Sequence, residues 1–85
     1  MAFRIEFVRS AARELEALPQ PIRRRVGRAI SGLAFDPRPP GAMVLSGAER
    51  RWRVRVGDYR ILYRIHDDLL LVVVVRVGHR SDAYR

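Results

Sequence analysis

The sequence predicts an α+β domain of order β-α-α-β-β-β, with two N-terminal helices packed on one face of a mainly antiparallel sheet. Two amphipathic helical segments come first, and three segments typical of strands follow a loop rich in proline. This order favours helices gathered on one face of an antiparallel sheet. The chain has 85 residues, room for a single domain over 1–85, and it is 48% hydrophobic. We therefore expect it to fold alone.

The N-terminal part predicts one strand and two helices. Phe3–Val8 alternates in polarity, which indicates a half-buried strand. Ser10 is a suitable N-cap for a helix over Ala11–Leu18. Prolines end that helix, and apolar residues at helical spacing predict a second one over Pro21–Phe35. The outer face of the second helix fits either a solvated surface or contact with a partner or nucleic acid, and it carries Arg23, Arg24, Arg25 and Arg28.

The C-terminal part predicts three long strands after the loop Asp36–Gly41. We expect Val44 and Leu45 to add a short strand or an extended stretch before them. The long strands are predicted over Arg51–Val56, Tyr59–Ile65 and Leu69–Val77. The last of these is apolar on both faces, as expected of an interior strand. We place it at the centre of the sheet, with the N-terminal strand as its other neighbour.

The first hairpin determines where its arginines point. A two-residue turn at Gly57–Asp58, with glycine in the position that a type II′ turn requires, sets Arg55 opposite Arg60. Directly opposed residues lie on the same face of a sheet. We expect these side chains on the face without helices. The other face carries aromatic residues that we place in the core, Trp52, Tyr59 and Tyr63.

The last hairpin has two possible registers, because turns of two and three residues give opposite parities. A three-residue turn at His66–Asp68 sets Ile65 opposite Leu69 and brings Arg76 to the open face. Extending that parity brings Arg80 there as well. The arginines predicted on or beside this face are Arg51, Arg53, Arg55, Arg60, Arg64, Arg76 and Arg80.

The composition favours an anionic partner. All 17 cationic residues are arginine, against 9 acidic residues, which gives a formal charge of +8. Arginine forks onto phosphate but cannot act as a titrating base. With no cysteine, two histidines and no acidic cluster, we expect no metal and no cofactor. The sequence contains no apolar run long enough for a membrane span and no signal peptide, so we expect a cytoplasmic protein.

Two interpretations of the arginine-rich face differ in their energetics. Long arginine stems can cover an exposed sheet while their charged heads stay hydrated. Like charges directly opposite across strands, however, cost roughly a few tenths to 1 kcal/mol per pair. For several converging arginines we therefore favour an anion site.

Two segments resemble the RelE/ParE superfamily of bacterial toxins, most closely its RelE branch. They are WRVRVGDYRILYRI at Trp52–Ile65 and VGHRSDAY at Val77–Tyr84. The segment SAARELEALP at Ser10–Pro19 and the DPRPPG loop extend the resemblance over nearly the whole chain. It implies a metal-independent mRNA endonuclease that acts in the ribosomal A site, leaves a 2′,3′-cyclic phosphate and is neutralised by a cognate antitoxin. The alternatives are a ParE-like inhibitor of DNA gyrase and a degenerate, non-catalytic member.

The resemblance also implies site residues, carried over position by position. Positions matching RNA-binding residues are Arg53 and Arg55, and positions matching catalytic residues are Arg60, Arg80 and Tyr84. The reaction also needs a base for the ribose 2′-hydroxyl. Tyr84 is the candidate from the resemblance, and His79 is the candidate from its ordinary pKa of about 6.5. The sequence leaves both open.

Overall fold

The structure is a computed structural model, and it describes residues 2–47 and 49–81. Two helices and five strands follow the predicted order, with one short additional strand. The helices are α1 (Arg9–Glu16) and α2 (Gln20–Gly32), and the strands are β1 (Arg4–Phe7), β2 (Met43–Val44), β3 (Trp52–Val56), β4 (Tyr59–His66) and β5 (Leu71–His79).

The five strands form one sheet in the order β1-β5-β4-β3-β2. β1 pairs with β5 in parallel, and the other neighbours are antiparallel. β5 lies inside the sheet between β1 and β4, which confirms the interior position and the neighbours predicted from its apolar sequence, although the middle strand of the five is β4. The α+β fold class is confirmed as well.

Both helices begin and end close to their predicted limits, but the predicted N-cap is wrong. Ser10 lies inside α1, and Val8 occupies the N-cap position without a side-chain capping bond. Helix α2 ends at Gly32, about one turn before Phe35. Proline within its first turn suits the start of a helix, where the missing N–H has no partner to lose.

The core lies between the helices and one face of the sheet. Tyr63 is fully buried there, and Trp52 and Tyr59 pack against the core as partly buried residues. The remaining buried residues of this cluster are Ala11, Val26, Ile30, Leu33, Val54, Ile61, Val72, Val74 and Val77. The predicted core face is therefore confirmed. None of the helices in the described part of the chain is long and apolar enough to cross a membrane.

The connection between β4 and β5 is longer than predicted. A 3-10 turn over Asp67–Leu69 is followed by Leu70, which adopts a positive φ of 48°. Ile65 consequently lies opposite Val72 and not opposite Leu69, so the predicted register is wrong. Taken alone, this shift would place Arg76 opposite Ile61, beneath the helices.

A β-bulge reverses that change of parity. Tyr63 pairs with Val74, but Leu62 pairs with Arg76, so Val75 is an extra residue on β5. One extra residue returns the following side chains to the opposite face. Arg76 therefore reaches the predicted open face by a register that the sequence did not indicate.

Candidate phosphate-binding site

The face of the sheet without helices gathers arginines from three adjacent strands. Arg55 on β3 lies directly opposite Arg60 on β4, as the two-residue turn predicts. Leu62 on β4 lies between Arg53 on β3 and Arg76 on β5. Because opposed residues share a face and the side-chain period is two, these arginines and Arg64 all lie on one side of the sheet. The predicted convergence of these strand arginines is therefore present in the fold.

The β3–β4 turn brings a further arginine to one end of this face. Gly57 has a φ of 60°, a left-handed conformation that favours glycine. The backbone N–H of Arg80 donates to the Asp58 carbonyl across a distance of 2.8 Å. This bond places Arg80 beside the turn just after β5 ends. Arg80, the last of the predicted site arginines in the chain, thus lies next to the turn of the first hairpin.

A cavity of about 70 Å³ opens at this turn and is lined by Arg55, Gly57, Asp58, Arg60 and Arg80. Among the described residues, no ion pair joins Arg55 or Arg80 to a carboxylate, although Asp58 lines the same cavity. The cavity therefore presents guanidinium groups from two strands and from the residue after the last strand. We call it the turn site.

Two other arginines of the open face are paired with carboxylates. Arg64 donates to Glu49 at 2.8 Å, and Arg76 donates through its Nε to Glu14 at 3.1 Å. Both arginines were predicted on the open face as part of an anion site, and neither acidic partner was predicted. Outside the turn site, two arginines of this face are therefore neutralised by carboxylates.

Glu14 does more than pair with Arg76. Its other carboxylate oxygen accepts the backbone N–H of Val77 at 2.9 Å. β1 has four residues and β5 has nine, so part of the β5 edge extends beyond its neighbour. Glu14 of α1 satisfies an N–H on that edge, where an unpaired backbone donor would be costly. The mismatch in strand length indicates that this edge of β5 needs a hydrogen-bond partner, but it does not identify Glu14 as that partner.

The side chain of Arg53 is buried at the sheet surface and does not project into solvent. It is 8% exposed, and its Nη2 contacts the Met43 sulfur at 2.8 Å. Leu62, its neighbour across the strands, is 1% exposed although no helix covers this face. Arginine stems from both sides of Leu62 account for that burial. Arg53 therefore contributes packing as well as charge.

Arg51 precedes β3, and its backbone carbonyl accepts the N–H of Leu45 at 2.7 Å. Its side chain is half-buried and does not line the turn site. The fold therefore places Arg51 outside the turn site.

The two candidate bases are placed differently. His79 lies opposite Tyr59, on the side of the sheet that faces the helices, and its ring meets that of Tyr59 edge-on at 5.5 Å between centroids. Its Nδ1 accepts the backbone N–H of Ser81 at 3.3 Å. The imidazole is thus directed away from the face that carries Arg60. Tyr84 lies outside the described residues.

The opposite end of β4 is held by a separate set of interactions. Arg38 donates twice to Asp67, at 3.2 and 2.8 Å, and its guanidinium lies 5.2 Å from the centroid of the Trp52 ring. The hydrogen bond with Asp67 raises the pKa of Arg38, and the same bond lowers the pKa of Asp67. These groups are therefore fully charged around neutral pH.

Tyr63 anchors the same end from inside the core. Its hydroxyl donates to the Pro37 carbonyl at 2.7 Å. Burial disfavours the charged phenolate and raises the pKa of Tyr63 to about 12. A neutral, hydrogen-bonded phenol thus ties the proline-rich loop to β4.

The described side chains form no candidate metal site. Within residues 2–47 and 49–81, no group of three or more His, Cys, Asp or Glu side chains is arranged to hold a metal ion. The chemistry that the turn site can offer is fixed positive charge and N–H donors directed at an anion.

Known proteins match this chain over almost its whole length. Residues 5–84 match the family described as ParE toxin of type II toxin–antitoxin system, parDE. Toxin RelG of Mycobacterium tuberculosis is 36% identical over 86 aligned positions, which cover 100% of this chain and 99% of that protein. Toxin RelE of the same organism is 30% identical, covering 98% of this chain and 87% of that protein.

Solved structures show the same fold. A chain of the RelBE2 toxin–antitoxin complex from Mycobacterium tuberculosis has a TM-score of 0.80 and 34% identity, covering 94% of this chain and 100% of that chain. A chain of the archaeal RelE–RelB complex from Pyrococcus horikoshii, 24% identical, has a TM-score of 0.83, covering 98% of this chain and 100% of that chain. From the family match, the sequence identity and the shared fold, this chain belongs to the ParE toxin family within the RelE/ParE superfamily and is a toxin of the type II toxin–antitoxin class.

Proposed function

We propose that the chain cleaves messenger RNA at the ribosomal A site, without a metal ion, and that the scissile phosphate binds in the turn site. The observation that carries the proposal is the grouping of Arg55, Arg60 and Arg80 around one cavity. Guanidinium groups match phosphate in charge and in planar, forked hydrogen-bond geometry.

The proposed reaction is an internal transfer at phosphorus. The ribose 2′-hydroxyl loses its proton to a base, and its oxygen forms a bond to the neighbouring phosphorus. The bond from phosphorus to the 5′-oxygen breaks, and that oxygen takes up a proton. The products are a 2′,3′-cyclic phosphate and a 5′-hydroxyl, and no oxidant or co-reactant is consumed.

The arginines act on the charge that develops in this reaction. In the transition state the phosphoryl oxygens carry more negative charge than in the ground state. Donors already fixed around that position stabilise the transition state selectively, and one such donor contributes about 3 to 4 kcal/mol. We assign this role chiefly to Arg60 and Arg80, while Arg55 and the half-sequestered Arg53 position the RNA backbone.

Proton transfer requires a group other than arginine. Tyr84 remains our candidate for the base, because cationic neighbours lower the pKa of a tyrosine. The contacts of His79 with Tyr59 and Ser81 support a role for this residue in holding the end of β5. We therefore assign His79 a positioning role in preference to a catalytic one.

We also propose that a cognate antitoxin neutralises this chain. The RelBE2 relative was solved as a toxin–antitoxin complex. A formal charge of +8 favours an acidic partner segment. A segment of that kind would compete with RNA for the same cations.

The double variant Arg60→Ala/Arg80→Ala tests the nuclease proposal. We expect it to remain folded and to lose growth arrest on expression, together with the cleavage that primer extension detects on a translated message. The matched control is Arg13→Ala/Arg24→Ala, which removes the same charge from exposed helix positions. Unchanged toxicity and cleavage in the Arg60/Arg80 double variant would contradict the proposal.

A second candidate function follows from the description of the matched family as ParE toxin. A ParE-like toxin would inhibit DNA gyrase by protein binding and leave messages intact. Intact mRNA combined with a supercoiling defect in cells expressing the wild-type chain would establish that alternative. Cuts located within codons would exclude it.

A further inference from the structure

An arginine of helix α2 lies against the turn that forms the cavity. An ideal Cβ built on Gly57 would stand 3.3 Å from Nη2 of Arg25 and 3.7 Å from its Nη1. The Arg25 guanidinium therefore lies next to the space that a side chain at Gly57 would enter. Arg25 reaches this position from the helix-covered side, whereas Arg55 and Arg60 approach from the open face.

Gly57 lies beside Arg25 and also beside the arginines of the turn site. It lines the turn site together with Arg55, Arg60 and Arg80, and it is also the residue under the Arg25 guanidinium. Arg25 is exposed, and no ion pair joins it to any described carboxylate. Its charge therefore stays available at the rim of a cavity that already gathers three cations.

Among the described residues, no carboxylate forms an ion pair with Arg25, Arg55 or Arg80. Like charges brought close together repel one another, and an anion removes that repulsion. The other arginine-rich surface differs in this respect, because Arg64 and Arg76 are paired with carboxylates. A second anion beside the turn site would account for the position of Arg25.

We propose that Arg25 is a second phosphate subsite, which binds the backbone phosphate next to the one held in the turn site. This inference rests on the proposed function and extends it from one phosphate to the path of the RNA. A strand leaving the cavity over Gly57 carries its next phosphate across the β3–β4 turn, where Arg25 presents two N–H donors. The RNA thus passes from the open face of the sheet toward helix α2.

The glycine at the turn has two functions in this arrangement. Its positive φ suits the turn, and its lack of a side chain leaves room for the Arg25 guanidinium. A β-carbon at Gly57 would stand 3.3 Å from the Arg25 guanidinium and would crowd it. The turn and the subsite therefore depend on the same residue.

Binding of RNA oligomers of two lengths tests the subsite. The probes are a dinucleotide with one phosphate and a trinucleotide with two, both 2′-O-methylated so that they cannot be cleaved. We expect Arg25→Ala to weaken binding of the trinucleotide about tenfold and to leave dinucleotide binding unchanged, because the variant loses one charge-assisted contact, which only the second phosphate makes. The slope of log K against log salt for the trinucleotide should decrease in magnitude by about 0.7.

The matched control is Arg24→Ala, an exposed arginine one position earlier on the same helix. Successive helix residues point about 100° apart, so Arg24 is directed away from the turn. We expect it to change neither the salt slope nor the difference between the two probes. Arg25→Lys should keep the slope and show intermediate affinity, since it retains the charge and loses the fork.

The outcomes separate this inference from the proposed function. Equal effects of Arg25→Ala and Arg24→Ala on the trinucleotide, with binding abolished in Arg60→Ala/Arg80→Ala, would overturn the subsite alone. Failure of the wild-type chain to bind either probe at low salt, together with intact toxicity of Arg60→Ala/Arg80→Ala, would overturn both. Equal urea midpoints for the Arg25 and Arg24 variants will show that a difference in RNA binding between them does not come from a difference in stability.

Discussion

The two ends of strand β4 use the same residue type for different purposes. At one end, the turn site gathers Arg55, Arg60 and Arg80 around a cavity. At the other end, arginines are bound to carboxylates, Arg64 to Glu49 and Arg38 to Asp67. The second group holds loops to the sheet, whereas in the first group Arg55 and Arg80 form no ion pair with a described carboxylate. An arginine-rich composition therefore does not locate a site until the acidic partners of the arginines are known.

The distinction has a physical basis in how much charge each end can offer to a ligand. A guanidinium that already donates to a carboxylate must exchange that partner for a phosphate, and the exchange cancels much of the gain. A guanidinium solvated by water exchanges weaker contacts for charge-assisted ones. We therefore expect RNA affinity to depend on the arginines of the turn site far more than on Arg38 and Arg64, which form the paired end of β4.

The largest expected effect comes from comparing two arginines of the same sheet face. Arg55→Ala should reduce the rate of mRNA cleavage about a hundredfold, because a poorly positioned RNA backbone no longer brings the scissile phosphate to the donors of the turn site. Arg64→Ala removes an equal charge that Glu49 already neutralises, and it should change the rate less than about threefold. Primer extension on a translated message measures both. Comparable losses in the two variants would remove the distinction between the ends.

The next largest expected effect is a loss of folding stability when Tyr63, at the paired end of β4, is changed. Tyr63→Phe removes the bond to the buried Pro37 carbonyl and should lower the free energy of unfolding by about 1 kcal/mol near neutral pH. The pKa of Tyr63 is raised from 10.0 to about 12, so the folded state retains its proton where the unfolded state loses it. The stabilisation from this shift is complete below pH 10 and is lost as the pH rises through 12.

Urea unfolding at a series of alkaline pH values checks this expectation. Between the two pKa values the wild type should lose up to about 1.4 kcal/mol per pH unit. Tyr63→Phe should lack that component, so the advantage of the wild type should shrink as the pH rises above 10 and should then reverse. Curves that run parallel over this range would show that the phenol does not govern the alkaline stability.

Asp67 gives the smallest expected effect, because the carboxylate and its partner Arg38 are exposed. The pKa of Asp67 is lowered, so its contribution to stability is present above its ordinary value of 3.8 and is lost as the pH falls through the lower, folded-state value. Asp67→Asn should therefore unfold at a slightly lower temperature than the wild type near neutral pH and at the same temperature in acid. Added salt should reduce the difference, since exposed ion pairs are screened. A difference that persists in acid would indicate a role other than charge.

Much of the fold could be predicted from local patterns. The polarity of β3 and β4 and the Gly57–Asp58 turn correctly placed Arg55 opposite Arg60, because a two-residue turn leaves little freedom of register. The β4–β5 register was wrong, because neither the 3-10 turn nor the bulge at Val75 has a clear sequence signal. Arg76 nevertheless reaches the predicted face, since the two deviations cancel.

The sequence predicted that arginines form the candidate site, but it did not predict which arginines are paired with carboxylates. Glu14 and Glu49 are distant in sequence from the arginines they neutralise, and nothing in the local pattern links them. His79 was a candidate because of its chemistry, but register directs its ring toward Tyr59. Arg25 was one of four similar arginines on α2, and packing of that helix against the sheet distinguishes it.

The order of the main elements, the face that each strand of the first hairpin buries, and the excess of fixed positive charge could all be predicted from the sequence. These properties follow from side-chain periodicity and composition, which are local. Only the tertiary structure decided which arginines meet a carboxylate, which surround the β3–β4 turn, and which side of the sheet His79 faces. Those relations join residues far apart in the chain, and they depend on a bulge, a loop length and a helix position that are set by packing.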